Sequence, residues 1–282
     1  MKTRPFFIIA LLAALPGTAA KAAPEVPQLC HIANAGFALR APEGTVLIDA
    51  LFRSGLPDYP RASDELNERL ETGTVPFDDV RFVVVSHAHD DHFDPEALVR
   101  HARHNAGARY IVTPQARERM IAAGLPDAAA NRVHAIYPAT NETRRMAHHG
   151  IAVTVYRVSH GEGHPTQNIG TLIEAGGVTV FHTGDMEPDA DELAEAGLEK
   201  LKVEVALVPF WVLMSEESRE LMRATFAADW FVPMHLPAEE QDWMAEYGGL
   251  AGLRKQIEDR VQNAIWMTRE MGCGTMSNTD SD

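Results

Sequence analysis

Apolar residues along the chain come in short runs broken by turn-forming positions, and the period of the runs assigns most elements. Residues 29–32, 37–40 and 45–48 read as three strands, the last two joined across a Pro-Glu-Gly turn. The stretch 53–80 is polar and turn-rich, with one helix over 64–71. Phe82, Val83, Val84 and Val85 form an unbroken aromatic and β-branched run, the pattern of a strand buried on both faces. Helix 95–104, strand 109–112, helix 114–123 and strand 132–136 follow. A second strand series then opens. Residues 150–158 alternate, and 169–174 with 178–181 make a hairpin across Ala-Gly-Gly. Helix 189–196 leads to an apolar strand at 203–208, helix 216–228 to a strand at 230–233, and a last helix spans 249–259.

Hairpins followed by strand–helix alternation, twice over, fit an α/β chain. Two mixed β-sheets packed face to face, each covered by helices, satisfy that order. No internal repeat or compositional break marks a linker, so residues 23–270 read as one domain. Residues 271–282 are small and polar and read as a disordered tail.

Composition and charge narrow the function. With 282 residues, 45% of them hydrophobic, the chain is long enough to bury a sizeable core. A formal charge of -15 repels phosphate backbones, which disfavours nucleic acid and leaves a small molecule as the expected partner. Lys2 and Arg4, the apolar run 6–15 and the Ala20-Lys21-Ala22 segment form a cleavable signal peptide over residues 1–22. The apolar run is too short to span a bilayer comfortably, so export to the periplasm or medium is expected rather than a stable membrane anchor. Cys30 and Cys273 lie near opposite ends of the chain. An exported protein permits a bridge between them, but the loose look of the tail favours two free thiols.

The chemistry concentrates where the strand at 82–85 ends, in Ser-His-Ala-His-Asp-Asp-His, residues 86–92. Alternate side chains of an extended segment share a face, so His87 and His89 can grip one cation. Asp91 and His92 are adjacent and must diverge, which suits a second cation. Asp94 and Pro95 then supply a helix N-cap and first turn. This His-x-His-x-Asp-His pattern resembles the signature of the metallo-β-lactamase fold superfamily of metal-dependent hydrolases. The alternative is a histidine-rich loop in a chain with 13 histidines, and the strand–motif–helix context argues against it.

The resemblance covers roughly residues 28–240 and implies a four-layer αβ/βα sandwich. It also implies further ligands at strand ends on one edge. His160, just past the strand at 150–158, looks like the third histidine beside His87 and His89; His164, four residues on, is the competitor, with a supporting or substrate-touching role otherwise. Asp185, in the Phe-His-Thr-Gly-Asp segment 181–185, resembles the aspartate that bridges both metals. His235 would complete a second site with Asp91, His92 and Asp185. Asp49 resembles an aspartate that fixes the tautomer of a metal-binding histidine, or is simply a turn residue. His182 reads as a partly buried strand histidine, and Asp90 as a supporting or solvated group. His31, His101, His104, His134, His148 and His149 read as surface or core.

Two divalent cations, zinc by donor type with manganese or iron also compatible, would lower the pKa of a shared water and provide a hydroxide nucleophile. Asp91 and Asp185 are the carboxylates expected to serve that chemistry. No Gly-x-Ser-x-Gly elbow or Cys/His pair offers a covalent route. Short segments (Thr-Gly-Asp, Leu-Val-Pro-Phe-Trp, Pro-Met-His) resemble the branch containing ascorbate-6-phosphate lactonase-like proteins. Phe210 and Trp211, followed by Met214, read as an apolar substrate wall or as core. A small ester, lactone or amide-like substrate is therefore expected. The competing readings are a phosphodiesterase, a di-iron redox protein, and a non-catalytic metal-binding protein of the same fold.

Overall fold

The computed structural model describes residues 24–238 and 241–276. The expected signal peptide and residues 277–282 of the expected tail lie outside them. The first half runs β1 (Gln28–Ala33), β2 (Gly36–Ala41), β3 (Gly44–Ile48), α1 (Asp64–Thr72), β4 (Val80–Val84), α2 (Pro95–His104), β5 (Arg109–Val112), α3 (Pro114–Ala122), α4 (Asp127–Ala130) and β6 (Val133–Ala135). The second runs β7 (Arg144–His148), β8 (Ile151–Arg157), β9 (Ile169–Ala175), β10 (Val178–His182), α5 (Ala190–Glu195), β11 (Leu201–Pro209), α6 (Glu216–Thr225), β12 (Phe226–Met234), α7 (Gly249–Arg260) and β13 (Cys273–Thr275).

These strands form two mixed sheets, ordered β13-β1-β2-β3-β4-β5-β6 and β12-β11-β10-β9-β8-β7. Side-chain parity separates the layers. Phe82 and Val84 of β4 face the other sheet, in one core with Phe37, Ile48, Val153 and Val180. Val83 and the following Val85 face the opposite way and meet Leu70, Leu98 and Met120 of the helices on that side. A third core packs Phe181 and Ala206 against Leu193, Met222 and Leu253 on the far side of the second sheet. The layers therefore read helix, sheet, sheet, helix, the architecture expected.

Direction explains why one edge collects the chemistry. β3 and β4 are parallel. β8 and β10 both pair antiparallel to β9, and β10, β11 and β12 are mutually parallel. β3, β4, β8, β10, β11 and β12 each deliver their following residues to the same edge, where loops are free to vary. Among the described residues no helix is long and apolar enough to cross a membrane.

Three expectations need correction, and one strand was not anticipated. Cys30 and Cys273 are bonded to each other rather than free. β13 pairs antiparallel with β1 and sets the two cysteines directly opposite. The tail is accordingly ordered through β13, on a three-residue strand too short to signal itself. Helix 216–228 stops at Thr225, because Phe226, Ala227 and Ala228 pair with Leu201, Lys202 and Val203 of β11. That ladder overrides the helical preference of the two alanines. β7 went unanticipated because its residues are mostly exposed and carry no apolar alternation.

Candidate metal centre

The loop 86–93 is fixed before it reaches any ligand. The Ile169 N–H donates to the Ser86 carbonyl, and both His92 N–H and Phe93 N–H donate to the His89 carbonyl. Phe93 is fully buried, and Asp94 Oδ1 accepts from Ala97 N at 2.9 Å to cap α2, with Pro95 in its first turn. The motif is thus held between a core strand and a capped helix, as its sequence context implied.

Two groups of side chains converge beyond that loop. Ligand-type atoms of His87, His89, His160 and Asp185 lie within 4.8 Å of one another, and so do those of Asp91, His92 and His235. Asp185 is common ground. Its Oδ2 lies 3.6 Å from His87 Nε2, 3.8 Å from His160 Nε2 and 3.2 Å from His235 Nε2. Its Oδ1 lies 3.1 Å from His92 Nε2. Asp91 Oδ2 is 3.1 Å from His235 Nε2.

The turn that presents Asp185 admits only glycine before it. Gly184 has φ +58, and a Cβ there would stand 2.1 Å from Asn168 Oδ1 and 2.8 Å from Ser86 Cβ. Asn168 in turn donates to the Thr183 carbonyl.

Asp49 does more than end β3. Its Oδ1 accepts from Ser86 N at 2.7 Å, and its Oδ2 accepts from Ser86 Oγ and lies 2.7 Å from His92 Nδ1. A carboxylate there fixes the proton on His92 Nδ1 and leaves Nε2 to face Asp185. His89 Nε2 meets Thr166 Oγ1 at 3.1 Å. His164 stacks on His160 with centroids 4.5 Å apart, but it is exposed and outside both groups. His182 is fully buried, with Nε2 on the Ala35 carbonyl and Nδ1 accepting from Gly184 N. Asp90 turns outward to Arg119.

The expected apolar wall divides. Phe210 is buried in the third core and stacks on Trp243. Trp211 stays at the site, its ring 5.1 Å from that of His235.

Four site residues escaped sequence reading. Asn34 donates Nδ2 to Asp91 Oδ2 at 3.1 Å; Ser86 and Thr166 hold their partners as above. Tyr59 meets His235 edge-on at 4.2 Å. Burial together with Asp185 and Asp91 pushes its phenol up to about 12, so it stays protonated. Asn34, Tyr59 and Thr166 are common residues in turns or loops without motif spacing, and Ser86, though it opens the histidine segment, has no donor type that marks it as a ligand.

Electrostatics mark the centre as built for cations. Burial and neighbouring His92 push His87 well below its ordinary range. Burial opposes a charge on His92 as well, but Asp185 and Asp49 overcome it and raise that ring well above its ordinary range. Burial likewise resists ionisation of Asp185, and His92, His235 and His87 still hold its carboxyl well below the usual range. His87 Nε2, His160 Nε2, Asp91 Oδ1 and Asp185 Oδ1 are buried without a hydrogen-bond partner. Such orphaned lone pairs are costly unless something electropositive completes them, and this set fits divalent metal ions.

A family profile, the β-lactamase superfamily domain, matches residues 45–244. The chain belongs to that superfamily. No curated protein matches it. Solved structures share the metallo-β-lactamase fold at low identity. Igni18, a metallo hydrolase of the archaeon Ignicoccus hospitalis, is 18% identical with a TM-score of 0.58, over 89% of this chain and 99% of that one. An isothiocyanate hydrolase from Delia radicum gut bacteria is 14% identical with a TM-score of 0.58, over 89% and 99%. CmlA, a diiron β-hydroxylase from Streptomyces venezuelae, is 15% identical with a TM-score of 0.55, over 90% of this chain and 54% of that one. Likeness at this level speaks to the fold, and one metallo-β-lactamase fold carries both hydrolase and hydroxylase names.

Proposed function

We propose that this chain is an exported, dinuclear metal-dependent hydrolase of a small ester, lactone or amide-like compound. One observation carries the reading: a single buried carboxylate, Asp185, lies within reach of both histidine groups. Two divalent cations held there, zinc by donor type, would supply water activation and carbonyl polarisation. His87, His89, His160 and Asp185 would hold one, and Asp91, His92, His235 and Asp185 the other.

The chain's own residues prepare that chemistry. Asp49 holds the His92 proton on Nδ1, and Asn34 orients Asp91. Tyr59 and Trp211 pack their rings edge-on against His235. Both cysteines are consumed in the disulfide and Ser86 is tied to Asp49, so neither thiol nor this hydroxyl is a free nucleophile. The acidic chain argues against polyanionic substrates, including phosphodiesters in nucleic acid.

A second reading rests on the same donor set. Imidazoles and carboxylates without a thiolate suit iron as well as zinc, which keeps a di-iron redox centre in play. Metal analysis joined to an ester, lactone, amide and phosphodiester panel separates the two. The hydrolase reading expects two metals per chain, turnover lost with a chelator and restored by zinc. Turnover surviving complete metal removal would end it, and redox-active iron without hydrolysis would favour the second reading. Export is checked by intact mass from the native host, with mature protein beginning near Ala23.

A further inference from the structure

Helix α3 reaches out of its own layer toward the first histidine group. Ala116 and Met120 seat it in the helix-side core of the first sheet, and Thr113 caps it at the end of β5. Gln115 and Arg119 each precede one of those anchors, so they stand four apart on one face at the margin of the core.

Arg119 holds the motif loop at three points. One guanidinium N–H donates to the Ala88 carbonyl, between His87 and His89, and another donates to Asp90 Oδ1 at 2.8 Å. The guanidinium also lies over the Phe93 ring, 5.0 Å from its centroid. Gln115 holds the other loop. Its Nε2 donates to the Pro165 carbonyl at 2.9 Å, its backbone N–H donates to Gln167 Oε1 at 3.1 Å, and its Oε1 accepts from Gln167 N at 2.9 Å. Residues 160–167 make four described hydrogen bonds to distant parts of the chain, these three and the Thr166 contact with His89. The loop that carries His160 is therefore tied to α3 and to the histidine it faces. The second group is held from elsewhere, by Asn34 and Asp49, neither of them on α3.

We infer that α3 is a brace that preorganises the first histidine group, with Arg119 as the positioning residue for His87 and His89 and Gln115 as that for His160. The inference rests on the two-metal reading for what the group binds, but the hold on the loops does not. Ordering a loop costs conformational entropy, and a loop already ordered spares an arriving cation that cost.

The test uses the full chain with Arg119→Gln and Gln115→Ala, both at half-buried positions. In metal-free Arg119→Gln, exchange of the His92 and Phe93 amides, which donate to the His89 carbonyl, should quicken at least about tenfold. The Val85 amide, which donates to the Ile111 carbonyl inside the sheet, should exchange as in wild type. In zinc titrations of each variant, one of the two steps should weaken about tenfold while the other stays within about twofold. Unchanged exchange in the motif loop, or wild-type zinc steps in both variants, overturns the brace. Equal weakening of both steps with a lowered melting temperature also overturns it, since the two residues would then only support the fold. Wild-type protein that binds fewer than two zinc ions would sink the two-metal reading alone, because the exchange contrast still decides the brace.

Discussion

His87 is fully buried, but its partners His89 and His160 approach Asp185 from a more open side, His89 half-buried and the His160 side chain keeping 17% of its surface. Asp91, His92 and His235 meet the same carboxylate at 1%, 0% and 3% exposure. The supports differ in the same sense. The open group leans on Ser86 and Thr166, whereas the closed group is gripped by Asp49, Asn34 and Tyr59. Two rings only 4.1 Å apart, His87 and His92, are pushed in opposite directions: burial, reinforced by His92, lowers His87, whereas Asp185 and Asp49 overcome burial and raise His92. One sheet edge thus builds a closed half and a more open half around one carboxylate.

The largest disturbance comes from the group both halves share. Asp185→Asn leaves one oxygen where two faced the histidines, and an amide holds cations more weakly than a carboxylate. Bound metal should fall below two per chain and hydrolysis by at least about 10³-fold, with circular dichroism unchanged. Two retained metals and near-normal turnover would overturn the proposed sharing of Asp185 by two ions.

Asp49→Asn sharpens the contrast, because its direct hydrogen bond is to His92 of the closed half, whereas it reaches His87 of the open half only through Ser86. The carboxylate accepts from Ser86 N, Ser86 Oγ and His92 Nδ1, and an amide has one oxygen for the three. Affinity at the closed half should drop about 10- to 100-fold, with the open half nearly unaffected. Stepwise metal titration by calorimetry reads both. A uniform loss at both steps would mean that the halves are one site rather than two.

The halves also differ in what the sequence discloses. His87, His89, Asp91 and His92 arrive together, since a strand end and a helix cap confine them to one short loop. Asp185 and His235 are isolated, and only strand counting along a known order gives them meaning. Asn34, Tyr59, Ser86 and Thr166 announce nothing, because a hydrogen bond across 57 residues, as from Asn34 to Asp91, leaves no local pattern. The same blindness hid the Cys30–Cys273 bond, which spans 243 residues. The sheets were legible because the period of two is written locally in each strand. Helix α6 was overrun for the opposite reason, its alanines being claimed by a neighbouring strand.

A buried histidine far from the centre supplies a control for His92. His101 is fully buried, its Nδ1 is 2.6 Å from Tyr110 Oη, and it has no carboxylate partner among its described hydrogen bonds. Burial, with nearby Arg132, pushes its pKa down to about 3. The folded value lies below the unfolded one near 6.5, so the unfolded chain binds the extra proton. Stability is therefore present above about pH 6.5 and lost as pH falls toward 3. Between pH 7 and 5 this ring should cost about 2 kcal/mol. In chelator-treated protein, the stability gap between wild type and His101→Phe should narrow by that amount over the same range. A constant gap in denaturant melts would show that His101 does not resist protonation.

The smallest expected effect tests where the open half ends. His160 reaches Asp185 at 3.8 Å, whereas His164 stacks on its outer face, exposed, its Nδ1 accepting from Thr166 N. His160→Ala removes a donor from the group and should weaken metal there about 10- to 100-fold. His164→Ala removes only a stacking partner and a loop hydrogen bond. It should leave metal content at wild-type level and alter kcat/KM about threefold or less. Parallel metal titrations of the two variants decide the matter. If His164→Ala strips the metal and His160→Ala keeps it, the loop 159–166 rearranges around the ion, and the open half closes on His164 instead.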